Sequence, residues 1–278
     1  MKIANCYNCG AQECIFYAEE NGFSLVKCSS CGLLYVQERP DDKEIDQAHK
    51  QGKHSGLKDL EVTGVFSDQK IAKYLVVLED VFKGELGDNK TWLDIGCGHG
   101  EFIVAVQQYS QGKVSVRGTE PNVHKQKSAQ ERGLNVGFFD IQTHEDKYDV
   151  ISLLNVYSHL PDPPAFLKSL KTLLNAGGEL VLQTGDTADF TAEEHYRPFD
   201  LPDHLSFASE RIVTDILSRS GFAILSISKY PYVPFSPKAI VKEIVKALLP
   251  QYESRIKYYA KWNRYSQTDM YIRARMIS

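Results

Sequence analysis

The 278-residue sequence predicts an α/β protein built on an open, parallel sheet. Three observations carry that expectation. Trp92-Leu93-Asp94-Ile95 reads as a short buried strand running straight into glycines at 96, 98 and 100, and an amphipathic helix follows from Glu101. Strand, glycine turn and helix N-terminus together make a nucleotide-cofactor site in an open sheet. Strands and helices then alternate in the βαβ manner that implies parallel pairing. Carboxylates, finally, close the next two strands at Glu120 and Asp140, and ligands of open sheets bind at the strands' carboxyl ends.

Each element has its own signature. The first forty residues carry Cys6-Tyr7-Asn8-Cys9-Gly10 and Cys28-Ser29-Ser30-Cys31-Gly32, two C-x-x-C-G knuckles. Cys6, Cys9, Cys28 and Cys31 supply the four sulfurs that structural zinc prefers, with iron as the chemical runner-up. A four-cysteine site leaves no open position, so the expected role is structural. Between the knuckles, residues 15–18 and 23–27 read as a hairpin through Asn21-Gly22, and residues 33–36 as a third strand. Residues 41–64 are polar and weakly patterned and read as a partly helical linker, in which a solvated setting is the default for His49 and His54. Ser67 is the expected N-cap of a helix with Ile71, Tyr74, Leu75, Leu78 and Phe82 on one face.

Beyond the glycine turn the expected helices are 101–110, 122–132, one from Pro163, and 210–220 capped by Ser209. The expected strands are 114–119, 135–139 ending at Asp140, 148–154, 178–184 and 222–227. From Pro237 to about residue 263 the chain reads as one or two helices, before a final strand over 270–276. The domain division expected is 1–40, 41–90 and 91–278. The helical insertion is basic, with Lys238, Lys242, Lys246, Arg255, Lys257, Lys261 and Arg264 against Glu243 and Glu253. A solvated face is the common explanation of such a run, and a phosphate-bearing substrate the sharper one.

Composition excludes several classes. A formal net charge of −4 and a pI near 6.1 give no electrostatic reason to expect nucleic acid. No apolar run is long enough to span a bilayer, and the N-terminus lacks a signal peptide's apolar segment. The expectation is therefore a cytoplasmic protein without membrane association. The glycine spacing, Asp-x-Gly-x-Gly-x-Gly, departs from the G-x-G-x-x-G phosphate cradle, which disfavours a nicotinamide dehydrogenase.

Leu93-Asp94-Ile95-Gly96-Cys97-Gly98-His99-Gly100 resembles the first motif of the class I S-adenosylmethionine (SAM) methyltransferases. The resemblance implies a Rossmann-like sheet of seven strands, the last antiparallel and inserted beside the fifth. It also implies that Gly96, Cys97, Gly98 and Gly100 pack against the methionine part of SAM, with Asp94 positioning the loop and the amino group. Gly118-Thr119-Glu120-Pro121-Asn122 matches the family's second motif, which implies ribose binding by Glu120 beside Pro121. Asp140 and Ile141 stand where the family contacts adenine, and Asn155 ends the fourth strand beside the expected methyl. The N-terminal segment resembles the zinc ribbon on many bacterial SAM methyltransferases of sugar, surface-polysaccharide and secondary-metabolite pathways. In the family the N-terminal helices cover SAM, so residues 41–90 are a candidate lid.

Methyl transfer to a hydroxyl needs alignment of the nucleophile and removal of its proton, and histidine suits that task near neutral pH. The candidates are His159, His195 and His204. Pro202-Asp203-His204-Leu205-Ser206-Phe207 resembles the family's substrate-side loop. His204 is the expected base, with Asp203 or Tyr196 assisting. Asn155-Val156-Tyr157-Ser158 lacks the prolines of the Asn-Pro-Pro-Tyr motif that holds a planar nitrogen, which lowers the case for nucleobase methylation. The function expected is methyl transfer to a small polar acceptor, a hydroxyl of a sugar, nucleotide sugar or metabolite. C- or N-methylation stays open, because the fold does not choose the nucleophile. So does a noncatalytic adaptor binding a protein through its ribbon.

Overall fold

The computed structural model describes residues 1–277 apart from 142, 234 and 250–253. Glu253, counted above with the basic insertion, lies outside the described residues. The chain opens with β1 (Lys2–Ile3), β2 (Cys14–Glu20), β3 (Phe23–Cys28), β4 (Leu34–Val36) and β5 (Glu38–Arg39). β2 and β3 form the expected hairpin, with Asn21 and Gly22 both at positive φ as a tight two-residue turn requires. β4 pairs antiparallel with β3.

Residues 41–61 are more ordered than a solvated linker. α1 (Asp42–Gln51) is closed by a capping box in which the Asp41 and Glu44 side chains accept each other's backbone N–H. β6 (Lys53–His54) and β7 (Leu60–Glu61) pair with each other. His54 is 2% exposed, which overturns the solvated default for that residue. α2 (Asp68–Phe82) starts after Ser67 as expected, although the serine side chain makes no cap bond. Its buried face is Ile71, Val77, Leu78, Val81 and Phe82, while Tyr74 and Leu75 are half-buried.

The sheet follows: β8 (Thr91–Ile95), α3 (Glu101–Tyr109), β9 (Ser115–Thr119), α4 (Val123–Gln130), β10 (Val136–Gly137), β11 (Tyr148–Leu154), α5 (Pro163–Leu170) and β12 (Leu174–Gly185). Then come β13 (Ser206–Phe207), α6 (Glu210–Arg219), β14 (Phe222–Tyr230), α7 (Pro237–Ala247), α8 (Ile256–Ala260), α9 (Trp262–Tyr265) and β15 (Asp269–Met276). Strand order is β10-β9-β8-β11-β12-β15-β14, with β15 antiparallel to both neighbours, as the class I resemblance implied. The chain thus crosses over at β8, and β8 and β11 lie at the centre of the sheet with their carboxyl ends together. The expected third strand is cut to two residues, because β10 is an edge strand paired on one side only. Among the described residues the insertion holds three short helices running to Tyr265, where one or two ending near 263 were expected. Among the described residues no helix is long and apolar enough to cross a membrane.

One join was not foreseen. β13, from the candidate substrate loop, pairs antiparallel with β4 and becomes the fourth strand of the N-terminal sheet. The cores fuse as well. Leu25, Leu33, Leu34 and Val36 are buried in one cluster with Leu153, Leu182, Phe199, Leu201, Ile212 and Val213. Burial of a leucine side chain is worth about 1.5–3 kcal/mol, so the N-terminal sheet and the substrate loop stabilise each other.

Candidate active site

The glycine turn is built by short-range sterics. Gly96 and Gly100 have φ of 69° and 92°, which L-residues rarely adopt. A Cβ on Gly96 would also fall 2.5 Å from Val156 Cγ2, and one on Gly100 would strike Leu134. A Cβ on Gly98, by contrast, would meet open space, so this is the side on which the loop can receive a ligand. The Gly96 and Cys97 N–H groups donate to the Thr119 carbonyl, fixing the loop across the end of β9.

Asp94 lies beneath that loop, 1% exposed. Its Oδ1 accepts from Ser152 Oγ at 2.5 Å, and Ser152 Oγ in turn accepts from Trp92 Nε1 at 2.9 Å. Burial, with Glu120 and Glu101 nearby, pushes the Asp94 carboxyl up to about 7, against the Ser152 hydrogen bond. A buried carboxylate so poorly compensated is matched to a cationic ligand group. Glu120, also buried, accepts from the Gly98 N–H at 2.7 Å and the Asn122 N–H at 2.8 Å, one on each oxygen. Each carboxylate oxygen keeps a further lone pair for a diol. Pro121 is half-buried beside it, and Asn122 caps α4 by accepting from the His124 and Lys125 N–H groups. The structure thus brings Asp94, the glycine loop with Cys97, and Glu120 into one pocket wall.

Other expected residues stand differently. Asp140 lies three residues beyond the shortened β10 and is exposed, with Ile141 half-buried next to it. Asn155 is exposed with φ of 58°, turning the chain at the end of β11. His195 is a packed structural group: its Nδ1–H donates to the Tyr196 carbonyl, and Nε2 accepts from Thr187 Oγ1. Tyr196 bonds Thr268 and sits among Phe190, Tyr258 and Tyr265, apart from His204. Asp203, the other residue expected beside His204, lies next to it in the loop and bonds His159. The basic insertion is partly paired, Arg264 and Lys261 with Glu194 and Lys246 with Glu243.

The histidines converge at the end of β11. His204 Nδ1 lies 2.7 Å from the Phe199 carbonyl, and because a carbonyl only accepts, that nitrogen carries the proton and Nε2 keeps its lone pair. Burial and the neighbouring His159 charge hold the His204 ring down at about 4, so it is neutral near pH 7. His159 stands 4.7 Å away, ring to ring. Its Nδ1 donates to the Asp203 carbonyl at 2.9 Å and Oδ1 at 3.1 Å. Burial lowers the proton affinity of His159, but the Asp203 charge and these bonds outweigh it and the net shift is upward. Asp203 is held far below the usual carboxylate range, since the His159 charge and bonds from His159 and His54 exceed the cost of burial. His54 Nε2 lies 3.0 Å from Asp203 Oδ1, and His49 contacts both His54 and His159.

Several groups that hold this cluster escaped sequence reasoning. Glu20, at the end of β2, accepts the Phe199 N–H at 2.9 Å and the Leu201 N–H at 3.3 Å, fixing the loop that carries His204. The Leu205 N–H donates to the Ser158 carbonyl, and Tyr7 reaches Ser206 Oγ at 3.0 Å. His99, the variable position of the glycine motif, donates from Nε2 to the Thr63 carbonyl and accepts at Nδ1 from Ser128. That contact ties Thr63 to the glycine loop. Of these, only His99, inside the glycine motif, could have been suspected from sequence.

The four knuckle cysteines converge. Cys6 and Cys31 sulfurs are 3.4 Å apart, those of Cys9 and Cys28 3.5 Å, and all four lie within 4.8 Å of one another. Tetrahedral zinc with bonds of about 2.3 Å needs sulfurs about 3.8 Å apart, so the set can hold structural zinc. Cys14 stands outside it.

Comparison with known proteins agrees with this geometry. The family described as "Methyltransferase domain" matches residues 69–227. The tRNA U34 carboxymethyltransferase of Campylobacter curvus (strain 525.92) is 32% identical over 108 residues, 35% of this chain and 35% of that protein. The ubiquinone biosynthesis O-methyltransferase of Actinobacillus pleuropneumoniae serotype 5b (strain L20) is 33% identical over 109 residues, 34% of this chain and 45% of that one. The chain thus spans about a third to a half of the length of the curated relatives it matches. Among solved structures, coclaurine N-methyltransferase bound to N-methylheliamine and S-adenosylhomocysteine superposes with a TM-score of 0.55 at 16% identity, covering 78% of this chain and 75% of that one. Geranyl diphosphate C-methyltransferase from Streptomyces coelicolor A3(2) gives 0.54 at 13% identity, covering 74% and 79%. These structures share the fold. The sheet order, the glycine loop and the matched family together show that the chain belongs to the class I SAM-dependent methyltransferases.

Proposed function

We propose that this chain transfers the methyl group of SAM to a hydroxyl of a small polar acceptor, a sugar or related metabolite, with His204 as the proton acceptor. The observation that carries the reading is the His204 tautomer: Nδ1 is committed to the Phe199 carbonyl, so Nε2 presents a lone pair beside the end of β11. SAM, when bound, supplies a methyl on a positive sulfur, a carbon already activated toward attack. Asp94 and Glu120 hold the cofactor's amino group and ribose, with Cys97 and the glycines against the chain between them. Asp140 and Ile141 flank the adenine side, and Asn155 the methyl side. The His159–Asp203 pair packs beside His204, and the His159 charge keeps the His204 ring neutral, with its Nε2 lone pair free. Residues 41–66 exclude water above the pocket, fastened through His99 and Thr63.

The relatives named above act on chemically unlike acceptors, so the acceptor class rests on the site and not on them. Calorimetry with SAM and a screen of acceptors with labelled SAM, nucleotide sugars first, test the reading. Absence of heat at millimolar SAM refutes the enzyme, and exclusive labelling of an amine or carbon refutes the hydroxyl.

A further inference from the structure

The cluster between lid and substrate loop holds more than a proton acceptor needs. One ligating atom each from His49, His159 and Asp203 lies within 4.8 Å of the others. These residues come from three separate segments: His49 from α1, His159 from the turn after β11, and Asp203 from the loop before β13. His49 Nε2 is buried and has no hydrogen-bond partner among the described residues. His54 Nε2, in a residue 2% exposed, sits 3.0 Å from Asp203 Oδ1. Leaving a buried imidazole nitrogen unsatisfied costs about 1–3 kcal/mol, so His49 Nε2 calls for a partner that the described residues do not supply.

We propose that His49, His159 and Asp203 form a second metal site, taking a divalent transition-metal ion through two imidazoles and a carboxylate. The donor set is one that zinc, iron, cobalt and nickel accept and that magnesium, which prefers oxygen alone, does not. His159 Nδ1, whose proton is shared between the Asp203 carbonyl and Oδ1, stands 3.1 Å from that carboxylate oxygen, so an ion that replaces the proton would take both as ligands. His54 Nε2, 3.0 Å from Asp203 Oδ1, would stay as that carboxylate's outer-shell partner. Bonds of about 2.0–2.2 Å require the ligand atoms to draw in to about 3 Å of one another. α1 supplies the movement, since His49 stands on the lid. Three protein ligands leave coordination positions open, so the ion would take oxygen donors of the class that hydroxyls and carboxylates provide. The site is independent of the acceptor assignment: it stands on the ligands alone.

The test uses the full-length protein with zinc in its cysteine site, titrated with Co²⁺ alone, without SAM or acceptor. One equivalent of cobalt per chain is expected, with the weak visible absorption of a nitrogen and oxygen site and no sulfur-to-cobalt charge transfer. His49→Ala should weaken that binding by more than about 10-fold, and His54→Ala, which removes an outer-shell partner, by about 10-fold or more. Zinc content of the cysteine site reports that each variant is folded, and His49→Gln replaces the alanine variant if it is not. No nitrogen and oxygen cobalt equivalent in the wild type overturns the site, as does undiminished binding in both His49→Ala and His159→Ala. SAM calorimetry on the same preparation separates this result from the methyltransferase reading.

Discussion

Asp94→Asn should make the protein more stable at alkaline pH while weakening its hold on SAM. The Asp94 carboxyl is fully buried, and its proton affinity rises from the ordinary 3.8 to about 7. Between those values the folded chain binds more protons at this site than the unfolded chain does. Stability therefore falls as pH rises through that window. With one unit worth about 1.4 kcal/mol, the site costs roughly 2 kcal/mol at pH 5 and roughly 4 kcal/mol at pH 8. Asparagine does not ionise, so its advantage over aspartate should grow by about 2–3 kcal/mol across that range, an upper value since the pocket relaxes. For a chain of this length that is about 5 °C in melting temperature. The Ser152 hydroxyl keeps a carbonyl to donate to, so the local hydrogen bond survives. Thermal melts of both proteins at pH 5 and pH 8, with a calorimetric SAM titration at pH 8, check the two halves. The same offset at both pH values would refute the ionised buried carboxylate, and unchanged SAM affinity in the variant would refute its role toward the cofactor.

Further consequences are measurable with the same preparations. SAM affinity of the wild type should fall as pH drops below about 7, because protonation removes the Asp94 charge; a flat Kd across roughly pH 6 to 8 counts against it. His204→Ala should lower kcat by about 10²–10⁴-fold with SAM affinity intact, and wild-type turnover would reject it as proton acceptor. Glu20→Ala leaves the Phe199 and Leu201 N–H groups without their acceptor, which should cost about 2–4 kcal/mol at the ordinary cost of buried donors; a stability within about 0.5 kcal/mol of wild type would show the ribbon does not brace this loop. Metal analysis should find about one cysteine-bound zinc per chain, and its removal should lower the melting temperature of the whole chain, the fused core being shared; an unshifted transition in the zinc-free protein would contradict that.

What was legible in the sequence was whatever short-range physics writes into it. The glycines around Asp94 announce themselves because no other residue tolerates their φ and the approach of Val156. The knuckle cysteines and the Asn21-Gly22 turn are local in the same sense. Ends of central strands were likewise placed closely: the expected 148–154 is β11 itself. The edge strand β10 was overextended, because apolar residues such as Phe138 mimic a strand that has no second neighbour to pair with. The lid was misjudged for a related reason. His54 looks like a solvated residue in a polar stretch, and only the Asp203 carboxylate, some 150 residues on by sequence number, explains its burial. Such a partnership has no local signature. Tyr196 illustrates the reverse: one residue from His195 in sequence, it turns into the aromatic cluster of the insertion.

The pairing of β13 with β4 changes what the zinc site is for. A structural metal in a small hairpin unit is ordinarily explained by the unit's inability to fold alone. Here the hairpin sheet also holds the loop that carries His204, the proposed proton acceptor. Leu34 and Tyr35 hydrogen-bond in register with Phe207 and Ser206, and the Val36 N–H donates to the Leu205 carbonyl. His204 is the residue just before that segment, and Glu20 secures the loop on the other side. The position of His204 is therefore set from both flanks by the N-terminal sheet, while the Leu205 N–H joins the loop to the end of β11. A loop on a sheet edge alone would be free to shift by the ångström or so that costs about 10²-fold in a methyl transfer needing in-line alignment. Fixing it to a metal-stapled sheet removes that freedom, so the folding energy of the zinc site is carried through two paired strands into the orientation of one imidazole.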